Sequence, residues 1–473
     1  VKSNRTLQST LDSLSHARGR VEILLLACVC IVSFLWIRGE RSIRASLFPY
    51  GAQAGFILSS DDLNASLLFP SDVSPGNVDR KLYQYDPEAV LGILGTILHV
   101  SQSTGVPIAM GICPRYAQVV QTENGQEGLI APLEENRALC EMIQYGVANG
   151  FLVPYNHGMY HCFLWDLDGD GQAEPVSWHN PEKGCLVSVE DLVLAGEWIE
   201  AITGIRQIAF RSPGYHPYLN EDGYRGSPAE KTSLLLKREG YELDLNPHSF
   251  RYANVFPEHV GRIQRLRFLL ADRTGLYWGR SGMRRYWGPF PFERDEEGIL
   301  RLFTYPDVNV IPGAVERLEA CYQEGYFCQE SVPFTWMSNP DYLDTAISLM
   351  EKAAELRPNQ AGGLWCPHRF QEILDWYSCS REGRYKISAR KKRREWRIMV
   401  EVDRPCSLFT ITVPISHQWK EYPNIQGFPA EDILKTEMYH GSLYLTSSIQ
   451  SRFEWIIGGP VGPTGSLKGR SIS

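Results

Sequence analysis

The sequence predicts an α/β chain: a (β/α) barrel over residues 54–376, then a small antiparallel β domain over 377–458. Three observations predict it. Short apolar runs alternate with capped helical patterns through the first stretch, which calls for a parallel sheet covered by helices, and a barrel is the closed form of such a sheet. The residues able to do chemistry, Asp61, Asp62, His157 and Arg211, each follow one of the apolar runs, at the strand ends where the sites of such barrels form. Beyond Trp376 the helical signals thin out, and strands joined by turns take over.

The 473 residues suffice for about two or three domains. A hydrophobic content of 43% with 22% charged residues is that of a globular protein. The net charge of −8 argues against nucleic acid as a partner and leaves a neutral or cationic sugar chain open. The 11 Cys include no CxxC pair, so neither a zinc knuckle nor a thioredoxin-like site is suggested.

After a tail over 1–22, residues 23–36 (ILLLACVCIVSFLW) form an apolar run closed by Ile37 and flanked by Arg18, Arg20, Arg38, Arg41 and Arg44. It is shorter than the about 20 residues of a usual span, and its flank offers no small-residue cleavage site. The reading is an uncleaved transmembrane anchor over 23–37, the alternative a buried core helix. Residues 38–53 then read as a linker.

The first barrel strand, 55–58, delivers Asp61 and Asp62 at its end. Asp86-Pro87-Glu88 supplies a cap, a Pro at the first helical position and an acidic first turn, opening a helix to about Ser101. Strand 106–112 follows, then a helix from about Leu133 stopped at Gly150, then strand 151–155 leading into His157. Ser188 and Asp191 open a helix ending at Gly204, ahead of strand 208–210 and Arg211. Ser227-Pro228-Ala229-Glu230 is a capping box for a helix closed by Gly240. Strands follow over 241–245, 302–305 and 332–334, and Asn339-Pro340-Asp341 caps a further helix. In the β domain the strands fall at 385–388, 395–402, 407–413 and 442–447, and residues 459–473 form a Gly-, Ser- and Pro-containing flexible tail.

His157 and His161 stand four residues apart, so on one helical turn both could point at one metal ion, and an Asp from another strand end would complete three ligands. Three protein ligands with an open position suit a hydrolytic zinc centre, and an adjacent Asp off the metal could take a proton from water there. Taken alone, Asp61-Asp62 is more simply an Asx turn or a helix cap, the two His structural, and Arg211 an ordinary salt-bridge partner.

In the order Asp61-Asp62, His157-x-x-x-His161, Arg211-x-Pro213-Gly214, the chain resembles the polysaccharide deacetylase family with the NodB homology domain, over roughly residues 54–376. The resemblance implies an irregular NodB-like barrel and metal-dependent removal of an acyl group, usually acetyl, from a carbohydrate. It implies Asp62, His157 and His161 as ligands of a divalent metal, zinc foremost, and Asp61 as the base. Arg211 would hold Asp61 ionised and oriented, while Pro213, Gly214 and Tyr215 shape the groove wall, the backbone near Tyr215 donating to the oxyanion. A catalytic domain acting on a polysaccharide belongs outside the cytoplasm, so the anchor would run N-in, C-out, with the domain periplasmic or at the cell surface. Nine Cys would then meet an oxidising compartment, with Cys321 and Cys328 the pair to test for a bridge.

The chain departs from the family at its late Leu-x-His motif. The corresponding stretch is Pro333-Phe334-Thr335-Trp336, without a His, which leaves Trp336 as a substrate contact and His368, His216 or His248 as substitutes for the general acid; His368 is the one taken forward. Two other readings follow: a catalytically idle barrel that binds a surface polysaccharide, and a glycoside hydrolase, which the adjacency of Asp61 and Asp62 fits poorly. Asp166, Asp168 and Asp170 resemble the start of a calcium loop, but Ser177 stands at the twelfth position and Glu174 would have to serve instead, so an acidic solvated turn is preferred. The basic run at residues 390–394 reads as a solvated hairpin tip, with contact to anionic lipid or an acidic polymer as the alternatives.

Overall fold

The computed structural model describes residues 43–46, 48–63, 67–68, 83–84, 86–122, 125–159, 164–165, 174–175, 187–211, 219–220, 229–245, 292–294, 297–302, 313–325, 327–356, 361–379, 385–392, 395–414, 423–428, 433–439 and 442–458. The expected anchor, His161, residues 213–216, His248, Asp166, Asp168, Asp170 and the tail lie outside them. Among the described residues no helix is long and apolar enough to cross a membrane.

The chain builds a mostly parallel, curved sheet flanked by helices. In chain order the elements are β1 (Ala54–Leu63), α1 (Pro87–Thr104), β2 (Ile108–Ile112), α2 (Arg137–Ala148), β3 (Leu152–Asn156), α3 (Val189–Thr203), β4 (Ala209–Phe210), α4 (Ala229–Arg238), β5 (Leu243–Asp244), β6 (Phe292–Arg294), β7 (Leu300–Leu302), α5 (Ala314–Glu324), β8 (Phe327–Ser331), α6 (Pro340–Glu355), β9 (Leu364–Trp365) and α7 (Phe370–Tyr377). The sheet order is β6-β7-β5-β4-β3-β2-β1-β8, with β9 pairing the start of β1. All pairs are parallel except β6 with β7. Seven strands from β7 to β8 therefore form a parallel half-barrel, and β1, central to it, is buried along its whole length.

Local signals set the helix ends. Asp86 accepts from the backbone N–H of Glu88 and Ala89, both at 3.0 Å, ahead of Pro87, and Gly105 closes α1 with φ 70°. Asn339 accepts from Asp341 N at 3.0 Å ahead of Pro340 in α6. Strand limits follow less closely. The strand expected at 332–334 lies instead at Phe327–Ser331, where Gln329, Glu330 and Ser331 are buried, and Pro333 begins the turn into a 3₁₀ helix over Phe334–Trp336. Buried polar residues, Glu330 among them paired with Arg317 of α5, hid this strand from an apolar count.

The C-terminal part is a sandwich of two antiparallel sheets. Its strands are β10 (Tyr385–Lys392), β11 (Glu395–Val402), β12 (Cys406–Pro414), β13 (Asn424–Phe428), β14 (Ile433–Tyr439), β15 (Ser442–Ile449) and β16 (Arg452–Gly458). One sheet runs β10-β11-β16-β13 and the other β12-β15-β14, and Ile398, Val400, Ile411, Leu443, Leu445, Phe453 and Trp455 fill the space between them. Residues expected as linker take part in it: Arg44 and Ala45 pair antiparallel with Thr412 and Ile411, adding an edge strand beside β12. This strap then enters β1 through Phe48 and a turn at Pro49–Gly51.

A disulfide joins Cys379, just past α7, to Cys406 at the start of β12. Cys321 and Cys328, the pair expected to bridge, are free thiols that face each other, and hydrogen bonding with Cys321 together with burial pushes the Cys328 thiol well up. In the basic run, β10 continues through Lys392 and pairs it with Glu395 of β11, so the run ends a hairpin as expected.

Candidate active site at the C-terminal strand ends

Two adjacent residues of a regular strand point to opposite faces of its sheet, yet Asp61 and Asp62 both turn into one site. The backbone explains this. The register of β1 against β2 shifts between Ser60 and Leu63, and Asp62 adopts φ 67°, a left-handed conformation that Asp tolerates better than bulky or branched residues. Both carboxylates are buried, as are His157 and Arg211.

Arg211 follows β4 and fixes both halves of the site. Its Nη1 donates to Asp61 Oδ1 and Oδ2, each at 2.8 Å, and to Ser331 Oγ at 3.0 Å, while Nε donates to Leu245 O at 3.0 Å. Its own carbonyl oxygen lies 2.9 Å from His157 Nδ1. A carbonyl only accepts, so Nδ1 carries the proton and Nε2 is turned toward Asp62 Oδ1, 2.9 Å away. Thr335, in the 3₁₀ turn after β8, donates to Asp62 Oδ2 at 3.0 Å. Tyr155, two residues before His157 on β3, donates to Asp61 Oδ1 and lies 3.0 Å from Ser60 O.

Burial pulls the His157 imidazole toward its neutral form, but the Asp61 and Asp62 carboxylates outweigh burial and the Arg211 charge, so its pKa lies above the ordinary histidine value. An imidazole lone pair and a carboxylate oxygen converging on one point hold a cation between them, either a second proton or a metal ion. Imidazole nitrogen and carboxylate oxygen are zinc donors, so the pair fits the expected metal. The helical turn expected to align His157 with His161 does not form at the start of that stretch: residues 157–159 are not helical, and Gly158 takes φ 83° with its N–H on Asn156 Oδ1 at 2.8 Å. Among the described residues no group of three or more His, Cys, Asp or Glu could hold a metal.

Asp61, Asp62, His157 and Arg211 thus meet as expected, and Trp336 sits at the same rim, half-buried, one residue from Thr335 and edge-on to Tyr342. His368 does not. Its Nδ1 contacts Gly150 O at 3.1 Å, ahead of β3, which puts it at the opposite end of the strands from Asp61. A general acid there could not share a substrate with Asp61. Three residues were not singled out from the sequence: Tyr155 and Ser331, whose polar atoms lie inside strands, and Thr335, within the stretch Pro333-Phe334-Thr335-Trp336 where the late His was expected. The signal for Thr335 was the absent His itself.

No family model matches the chain, nor does any curated protein. Among solved structures it is similar to a probable polysaccharide deacetylase of Pseudomonas aeruginosa PAO1, at 12% identity over 71% of this chain and 94% of that one, with a TM-score of 0.38. It is also similar to one assigned as a polysaccharide deacetylase from Mycobacterium smegmatis, at 13% identity over 69% and 91%, with a TM-score of 0.34. A glycoside hydrolase family 30 xylanase from Clostridium acetobutylicum matches at 10% identity over 88% and 100%, with a TM-score of 0.27. Likeness at this level transfers no activity.

Proposed function

We propose that the chain is a metal-dependent carbohydrate deacetylase. The observation that supports this most is the division of labour between two adjacent carboxylates: Asp62 faces an imidazole lone pair, whereas Asp61 is held by a guanidinium and a phenol. The first environment suits a metal ligand and the second a fixed general base. Asp62, His157 and His161 would hold the ion, which as a Lewis acid would polarise the acyl carbonyl and acidify the attacking water. Asp61 takes the proton from that water. Arg211 keeps Asp61 oriented for the transfer, and its carbonyl keeps His157 in the tautomer that presents Nε2. Asp61, protonated in that step, then returns the proton to the leaving amine or alcohol. The substrate is a carbohydrate bearing an acyl group, with Pro213, Gly214, Tyr215 and Trp336 lining its groove.

We place this domain outside the cytoplasm, anchored through residues 23–37; the Cys379–Cys406 disulfide supports an oxidising compartment. The stretch Pro333-Phe334-Thr335-Trp336, which has no His, favours one other reading, a barrel that binds its polysaccharide without turning it over.

The test is metal content and acetate release from acetylated oligosaccharides, for the parent and for His157→Ala. About one zinc per chain, lost with His157 together with acetate release, is expected. Zinc without acetate release would select the binding barrel, and no zinc after reconstitution would end the deacetylase reading.

A further inference from the structure

A second cavity, of about 650 Å³, lies at the other end of the molecule between the strap, the barrel and the sandwich, and the site described above uses none of it. We propose that it binds a segment of neutral carbohydrate, a second saccharide site apart from the strand-end chemistry. For the identity of its ligand this rests on the carbohydrate reading of the barrel.

The volume falls within the roughly 300–1,000 Å³ of small-molecule sites. Its walls mix aromatic rings with uncharged polar groups: Tyr385, Tyr439, Tyr444 and Trp376 contribute rings, Gln53 and Thr412 an amide and a hydroxyl. Among the described residues none that lines the cavity carries a charge at neutral pH. That composition fits neither an anion nor a bare acyl chain. A sugar presents C–H faces to the electron-rich face of an aromatic ring and hydroxyls at its edge, and this wall offers partners for both.

The walls are also fixed in place. The rings of Tyr444 and Tyr439 pack on Gly51 and Gly362, which have φ 74° and 69° and where any Cβ would collide with the ring. Gly362 N donates to Gly51 O at 2.9 Å, and Gln53 is held through Nε2 on Tyr322 O at 2.8 Å. Tyr385 is 45% exposed, with its ring edge-on to Phe409 at 5.4 Å between centroids, so its loss trims one wall of the cavity.

Gln53 and Asp61 are separated by the length of β1, roughly 25 Å at about 3.3 Å per residue. A polymer engaged at the cavity would stay close to the barrel and raise its own effective concentration at the far rim. Short sugars gain nothing from this.

The test uses the full chain in a detergent without a sugar headgroup, titrated calorimetrically with cellohexaose, which has no acyl group to lose, and with chitohexaose. Saturable cellohexaose binding is expected, unchanged in His157→Ala, retained in Tyr385→Phe and weakened about tenfold in Tyr385→Ala, whose chain still melts cooperatively well above the temperature of the titration. Chitohexaose binding that is lost in Tyr385→Ala and kept in His157→Ala would support the site equally. Absence of both, equal binding by Tyr385→Ala, or displacement of the sugar by a fatty acid would overturn it. Acetate release by a chain that binds neither sugar through Tyr385 would sink this inference and leave the deacetylase standing; Tyr385-dependent binding without acetate release would do the reverse.

Discussion

Replacing Arg211 by Met tests whether the site is organised around a buried charge pair. Arg211 and Asp61 are fully or almost fully buried, and one guanidinium nitrogen serves both carboxylate oxygens and Ser331. Removing the cation leaves the Asp61 carboxylate with the Tyr155 phenol as its remaining donor among those described above, and breaking such a pair costs about 3–5 kcal/mol. At about 2 °C per kcal/mol for a large domain, the barrel should melt about 6–10 °C lower. Asp61→Asn should also destabilise, by leaving the guanidinium without its counter-charge. The double variant removes both charges, so it should fall short of the sum of the singles by about 2 kcal/mol or more. Differential scanning calorimetry on the four chains reads this directly. Single variants that melt within about 2 °C of the parent, or a cycle that closes additively, would refute the ion pair as the element that fixes Asp61.

Thr335→Val removes the donor on Asp62 Oδ2 while keeping the shape, and zinc affinity should fall about 10–100-fold in a competition titration; an unchanged affinity would mean that Asp62 is not a ligand. Removing the disulfide with Cys379→Ser and Cys406→Ser frees a 27-residue separation and should cost about 3–4 kcal/mol, read as a lower denaturant midpoint that reducing agent then leaves unchanged. Burial holds the Glu372 carboxyl above its ordinary range despite the His368 N–H that donates to it at 3.3 Å. A raised folded pKa contributes stability below the unfolded value of about 4.3 and loses it as pH rises through the folded value, so the parent should lose stability relative to Glu372→Gln from about pH 4 toward neutrality. Parallel profiles would contradict that.

The helices and the chemistry-bearing strand ends were legible because their signals are local. Asp86-Pro87 and Asn339-Pro340 announce caps within a few residues, and a parallel sheet brings the residues that follow its strands to one rim wherever they lie in sequence. Partners inside strands were not legible. Tyr155 could face either side of a sheet covered on both faces, and β8 hid its strand behind Gln329, Glu330 and Ser331. The Cys379–Cys406 bridge, and the pairing of Arg44–Ala45 with β12, depend on how the sandwich meets the barrel, which no short stretch encodes. His368 was misplaced for the same reason, since its partner Gly150 is over two hundred residues away. The adjacency of Asp61 and Asp62 was visible, but its backbone requirement at Asp62 was not.

The strap has a mechanical consequence. Ser46 N and Tyr50 N are bound to Thr410 at 2.7 and 2.9 Å, so the chain is gripped by the sandwich before it reaches β1. Tension arriving from residues before 43 is therefore borne first by the antiparallel register of Arg44 and Ala45 on β12. The load passes to the sandwich core and stops short of the strand that carries Asp61 and Asp62. The rim at the far end of β1 is insulated from whatever pulls on the N-terminal segment, and shortening the chain to start at β1 would remove that insulation along with a sheet edge.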